Sequence, residues 1–284
     1  MSPRPPHVLT IAGSDPSGGA GIQADLKTFS ALGAYGMAAL TALTAQNTRG
    51  VTGVELIGPE FVAEQIDAVF ADIRVDAVKI GMIGSAEAAA RVADCLERLQ
   101  PELIVLDPVM VAKSGHRLID DHAVDVMRER LLPLATLTTP NLGEAGVLLG
   151  RPAPATEDDM PAAAQALVAA GASSVLLKGG HLSGATSRDL FADATQTTWL
   201  AGQRVQTGNS HGTGCTLASA VAALGPVAPS LESAARAAKA FLTACLEQAD
   251  TLDVGAGHGP VHHFHRAWHD DPAGYWLTRA ARAA

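Results

Sequence analysis

Five residues in the C-terminal third, His211-Gly212-Thr213-Gly214-Cys215, combine bare backbone with a thiol. They are followed by Leu217 to Leu224, apolar and alanine-rich as a buried helix would be. The first amides of a helix have no internal partner, and the dipole adds partial positive charge at that end. Gly212, Thr213 and Gly214 can therefore hold an anion such as a phosphoryl group in transfer. Cys215 falls in the first turn, where thiolate is favoured over thiol. The stretch thus offers an anion hole beside a base or nucleophile. It also reads as a helix-capping turn with glycines for close packing and a buried thiol, and the five residues alone do not decide between the two.

The rest of the chain shows what would position such a site. Val8–Ala12 reads as a buried strand that stops at the glycine loop of residues 13–21. A helix is expected over 22–32, a second strand over 37–45 and a short edge strand over 51–57 that can project as a flap. Helices are expected from Pro59 and over 86–99, with strands at 77–80 and 103–106. The second half repeats this rhythm, with helices over 123–132, 141–149 and 161–170 and strands at 134–138 and 175–177. An antiparallel hairpin (189–192 and 197–200) precedes the helix from Gly212 and a long helix over 231–249. Alternating strands and helices imply an α/β fold, a mostly parallel sheet with helices on both faces. Nothing in the composition breaks the chain, so one domain is expected over 1–265, with a tail over 266–284.

In open α/β sheets ligands bind at the carboxyl ends of the strands. Those ends carry Gly13-Ser14-Asp15, Gln46-Asn47, Gly81-Met82, Asp107-Pro108, Asn141 and Lys178-Gly179-Gly180. Glycine, amide, carboxylate and ammonium groups thus share one rim. Lys178, at a strand end before two glycines, needs an anion or water. Asn141 and Glu144 also read as an ordinary helix start after Pro140. Gly19-Ala-Gly21-Ile-Gln-Ala24 matches a dinucleotide-binding fingerprint, but it lies several residues past the strand end. The next strand also ends in Gln46-Asn47 where that motif needs an acid. No Walker-type Gly-x-x-x-x-Gly-Lys occurs.

Composition excludes other classes. A net charge of −9 without a basic run argues against a nucleic-acid surface. The apolar runs are too short and interrupted to span a membrane, and no signal peptide is visible. The three cysteines, at 95, 215 and 245, fit neither a disulfide framework nor a zinc pattern, so a cytoplasmic location is expected. Cys95 and Cys245 are expected in the core. His258, His262, His263 and His265 are grouped by sequence without a metal-site spacing that assembles several elements.

Taken together and in order, several segments closely resemble the hydroxymethylpyrimidine/phosphomethylpyrimidine kinases of thiamine synthesis, in the ribokinase-like superfamily. They are Ala12 through Thr28, Thr44-Ala-Gln-Asn-Thr48, Lys79-Ile-Gly-Met82, Leu106-Asp-Pro-Val-Met110, Lys113-Ser-Gly115, Thr139-Pro-Asn-Leu-Gly-Glu144, Lys178-Gly-Gly-His181 and His211-Gly-Thr-Gly-Cys215. Gly259-Pro-Val-His-His-Phe-His265 looks like the family's C-terminal end.

The resemblance implies a three-layer ribokinase-like sandwich with a small β flap, a cytoplasmic homodimer, and ATP and Mg2+ as cofactors. It implies a pyrimidine held against Gly13, Asp25, Gln46, Met82 and Val109, with Cys215 at its hydroxymethyl arm. Asp107 and Glu144, the latter in Asn141-x-x-Glu144, would organise Mg2+ around ATP, Lys178 would neutralise the phosphates, and Gly212, Thr213 and Gly214 would form the anion hole. The implied activity is transfer of the ATP γ-phosphoryl to the alcohol and then to its monophosphate. A pyridoxal/pyridoxine kinase of the same superfamily and a catalytically idle pyrimidine-binding protein are the alternatives.

Overall fold

In the computed structural model, residues 4–110 and 119–268 are described, so the Lys113-Ser-Gly115 segment and most of the expected tail lie outside the described residues. Strand β1 (His7–Ala12) ends in the glycine loop, and α1 (Gly21–Ala31) returns along the sheet to β2 (Tyr35–Leu40). Next come β3 (Ala42–Asn47), β4 (Gly50–Leu56), α2 (Pro59–Asp72), β5 (Ala77–Ile80), α3 (Ala86–Leu99) and β6 (Ile104–Leu106). The second half contains α4 (Asp121–Val126), a π-helical segment (Met127–Leu131), α5 (Leu132–Leu134), β7 (Leu137–Thr138), α6 (Leu142–Leu149), α7 (Met160–Ala169) and β8 (Ser174–Lys178). It closes with β9 (Asp189–Asp193), β10 (Thr197–Leu200), α8 (Thr213–Leu224) and α9 (Leu231–Glu247).

Eight strands form one sheet in the order β10-β9-β8-β7-β6-β5-β1-β2. Across the sheet from β2 to β8 each strand runs parallel to its neighbour, and β9 and β10 add an antiparallel edge. Alternate residues along each strand feed opposite faces. Leu9, Ile11, Val78 and Ile80 pack with α2, α3, α4, α6 and α7. Val8, Ala77, Val105 and Leu176 pack with α1, α8 and α9. These near-continuous apolar runs are what a sheet covered on both sides requires.

Two expectations for the strands change. The run over 37–45 is not one strand. Thr41, buried, donates its hydroxyl to the Met82 carbonyl (2.6 Å) and takes the chain out of the main sheet. Beyond it, β3 pairs with β4 as a separate antiparallel ribbon, so the flap has two strands and carries Gln46. The strand expected over 134–138 shrinks to β7, because the preceding helix runs through Pro133 to Leu134. The remaining elements match the periodicity to within about two residues at their ends. The best-determined helix start is that of α6: Asn141 Oδ1 accepts from the Glu144 amide (2.9 Å), and Glu144 Oε2 accepts from the Asn141 amide (2.7 Å).

Candidate active site

Three groups of residues meet where the carboxyl ends of β1, β5, β6 and β8 face the start of α8. The first is ionic. Lys178, the last residue of β8, donates to Asp107 Oδ1 (3.0 Å) and lies 3.8 Å from Glu144 Oε2. Thr139 also donates to Asp107 Oδ1 (3.0 Å), while the buried Asp107 Oδ2 has no hydrogen-bond partner among the described residues. Burial opposes the charge on Lys178, yet Asp107 and Glu144 outweigh it and keep the ammonium protonated well above its usual range. Glu144 goes the other way. Burial, with Asp107 close by, lifts its carboxyl to about 7 against the pull of Lys178.

The second group is the anion hole. Gly212 has φ 78°, the left-handed conformation that glycine adopts without strain, and it caps α8. A side chain there would drive into the Gly19 carbonyl, so the glycine loop and the start of α8 are in backbone contact. At Gly214 a Cβ would sit 3.4 Å from Lys178 Nζ and 3.6 Å from Asp107 Oδ2, so the bare backbone opens directly onto the ionic cluster. Cys215, half-buried, does not match the expectation of a thiolate. Burial lifts the thiol to about 11, with Asp25 and Asp107 adding to the rise, and the nearby Lys79 ammonium does not reverse it.

The third group lies around the glycine loop. Gly13 donates its amide to the Met82 carbonyl (3.1 Å), and the Met82 side chain packs over the bare Gly13 Cα. Val109, half-buried, follows Asp107 in a tight turn closed by its amide on the Asp107 carbonyl (2.8 Å). Gln46, carried by the flap, has its amide within 3.3 Å of both Thr44 Oγ1 and His211 Nε2.

Asp25 does not stand where the resemblance put it. It has no exposed surface, and its carboxylate accepts from Lys79 Nζ (2.9 and 3.0 Å), Thr10 Oγ1 (2.7 Å) and Ser219 Oγ (2.6 Å). Those donors consume the oxygens expected to read a ring. Asp25 instead ties α1 to β1, β5 and α8 beneath the anion hole. Lys79 was the missed signal: a lysine inside the apolar strand Ala77-Val-Lys-Ile80 must find a buried anion.

A second missed pair joins the glycine loop to α8. The buried Asp15 accepts His211 Nε2–H (2.7 Å), the Ser17 amide and hydroxyl (2.9 and 2.7 Å), and the Gly19 and Ala20 amides (3.2 and 2.8 Å). The histidine cluster does not gather. His263 pairs with Thr216 Oγ1 (2.9 Å) and burial pushes it down to about 3; His265 pairs with the His262 carbonyl (3.0 Å). No grouping of three or more metal-ligating side chains occurs among the described residues. Cys95 and Cys245 are buried in the core, as expected.

An ammonium held between two carboxylates, opposite the exposed amides of a helix start and at the carboxyl edge of a parallel sheet, defines a phosphotransferase site on a ribokinase-like α/β scaffold. Comparison with known proteins makes the assignment narrower. The chain belongs to the phosphomethylpyrimidine kinase family, whose profile matches residues 15–262. It is 53% identical over 262 residues to the hydroxymethylpyrimidine/phosphomethylpyrimidine kinase of Salmonella typhimurium, covering 92% of this chain and 98% of the relative. It is 51% identical over 256 residues to the thiamine biosynthesis bifunctional protein of Geobacter sulfurreducens, covering 90% of this chain and 52% of that longer protein. Among solved structures it resembles the Staphylococcus aureus pyridoxal kinase in complex with ADP, with a TM-score of 0.85, 37% identity, and 92% and 94% of the two chains covered.

Proposed function

We propose that this enzyme transfers the γ-phosphoryl of ATP to 4-amino-5-hydroxymethyl-2-methylpyrimidine and then to the resulting monophosphate, forming the diphosphate used to make thiamine diphosphate. The observation that carries this is the Asp107–Lys178–Glu144 cluster opening onto the bare backbone at Gly214. The 53% identity over nearly the whole Salmonella kinase favours the pyrimidine over the vitamin B6 substrate of the structural relative at 37%.

Phosphoryl transfer asks the protein for positioning and charge stabilisation rather than covalent chemistry. Lys178 and the amides of Gly212, Thr213 and Gly214 face the moving phosphoryl group, and Asn141, Glu144 and Lys178 hold the nucleotide end. Mg2+ fits the hard oxygen donors here, since Asp107 Oδ2 is buried and unpaired with Glu144 beside it. When bound it would neutralise charge on the phosphates. The pyrimidine lies against Gly13, Gln46, Met82 and Val109, and Asp25 acts from behind the site without touching the ring. Cys215, a thiol near neutral pH, orients the hydroxymethyl arm and does not take its proton.

We place the enzyme in the cytoplasm on the basis of three unpaired thiols. We take it as a homodimer, because Leu43, Val54 and Leu56 of the flap and Phe61 at the start of α2 are exposed apolar side chains. No helix among the described residues is long and apolar enough to cross a membrane.

The test offers ATP-Mg with the pyrimidine alcohol, its monophosphate and pyridoxine separately, and resolves products by mass. Both pyrimidine steps should proceed and the diphosphate should accumulate. Faster turnover of pyridoxine, with no diphosphate from the pyrimidine, would reassign the enzyme to vitamin B6 phosphorylation.

A further inference from the structure

The side-chain amide of Gln46 is flanked by two groups whose hydrogens are already committed. On one side, the buried Asp15 receives five donors and has none to give, so it is an ionised acceptor. Burial alone would raise its carboxyl, but hydrogen bonds from His211 and Ser17 overcome this and hold it below the usual carboxylate range. At 2.7 Å from Asp15 Oδ2, His211 Nε2 must therefore carry a hydrogen, and a protonated ring nitrogen has no lone pair left to accept with. Only the amide oxygen of Gln46 can face it at 3.3 Å.

On the other side, Thr44 has a single hydroxyl hydrogen, and it goes to the Ser14 carbonyl at 2.9 Å. Thr44 Oγ1 can then only accept from Gln46, so the amide nitrogen must lie on that side, 3.3 Å away. Two independent hydrogen counts thus select one of the two amide orientations, and the oxygen and nitrogen of a side-chain amide are assigned by such counts. The His211 ring cannot swing away easily: it is nine-tenths buried, and it packs so closely against Gly19 that any side chain there would strike it. His211 belongs to the segment that leads into the anion hole, and Asp15 to the glycine loop.

We propose that Asp15 and His211 are positioning residues that lock the Gln46 amide with its oxygen toward His211 and its nitrogen toward Thr44, so that the enzyme reads the donor–acceptor order of the pyrimidine edge. This rests on the pyrimidine reading of the site. A ring edge that offers an amino donor beside a ring-nitrogen acceptor matches the fixed amide in one orientation. The 4-oxo analogue, which carries an oxygen acceptor beside a ring N–H, reverses that order.

Two measurements test the proposal. Nitrogen-15 spectra of the intact enzyme without substrate should show the His211 ring protonated at Nε2 in its neutral form, with the signal identified by its loss in His211→Ala. A neutral ring protonated at Nδ1 would overturn the dyad. Kinetics with ATP-Mg should then show that His211→Ala raises KM for the 4-amino alcohol and lowers its preference over the 4-oxo analogue by roughly tenfold, one hydrogen bond's share. KM for ATP should hold, and His211→Gln, which returns an N–H donor, should restore part of the preference. An undiminished preference in His211→Ala, or equal rises in KM for both substrates, would overturn the proposal. If the wild type turns over neither pyrimidine, the substrate reading fails and the spectrum alone decides the dyad.

Discussion

Gly214→Ala should separate the stability of this enzyme from its activity. Gly214 lies in the first turn of α8, and its φ is not positive, so alanine suits its backbone better than glycine does. In a helix that exchange is worth about 0.5–1 kcal/mol in favour of alanine. The new methyl would meet Lys178 Nζ at 3.4 Å and Asp107 Oδ2 at 3.6 Å, which is ordinary contact with no forced shift. Covering an already unpaired carboxylate oxygen offsets part of the gain, so folding stability should stay level or rise by up to about 1 kcal/mol. The same methyl occupies the space in which the amides and Lys178 must meet the transferring phosphoryl group. Loss of one such preorganised contact costs about 10²-fold or more in kcat. Urea unfolding and steady-state kinetics on one preparation check both halves. Gly212→Ala is the contrast: its φ of 78° and the clash with Gly19 should lower stability and activity together. If Gly214→Ala kept kcat within about threefold of wild type, the anion hole would not be at Gly214. A stability loss above about 2 kcal/mol would refute the packing argument.

Asp25→Asn should leave the Lys79 ammonium buried without its counter-charge and destabilise the fold by about 3–5 kcal/mol in urea unfolding; a loss under about 1 kcal/mol would mean that the pair does not brace the fold. Glu144 should make the ligand-free enzyme less stable as pH rises. Its folded pKa, about 7, lies above its unfolded value, so between about pH 4.5 and 7 the native state keeps a proton that the unfolded chain has released, and unfolding free energy falls across that window. Glu144→Gln should remove that fall, about 2–3 kcal/mol, and parallel pH-stability curves for the two proteins would contradict the buried-carboxylate assignment.

Much of this architecture is local and therefore legible in the chain. Apolar runs of four to six residues ending in glycine or a polar pair mark β1, β5 and β8, because a strand buried on both faces tolerates little else. Asn141 and Glu144, three residues apart after Pro140, specify the start of α6 through their own backbone, and that reading holds down to the hydrogen bonds. The glycines before Cys215 likewise announce a helix start with open amides. Features that the chain alone does not settle depend on contacts between distant segments. The run over 37–47 is continuous in pattern, and only the packing of Thr41 against Met82 divides it into a sheet strand and a flap. Asp25 reads as an exposed helical acid until Lys79, 54 residues on, and Ser219, 194 residues on, close around it. Cys215 sits where a helix dipole favours thiolate, but burial beside two carboxylates decides its protonation. Asp15 and His211 are 196 residues apart, and their pairing depends on the backbone contact between Gly19 and Gly212. Local propensity and periodicity choose each element and its buried face; which charges meet, and at what cost in lost hydration, is settled only when those faces pack.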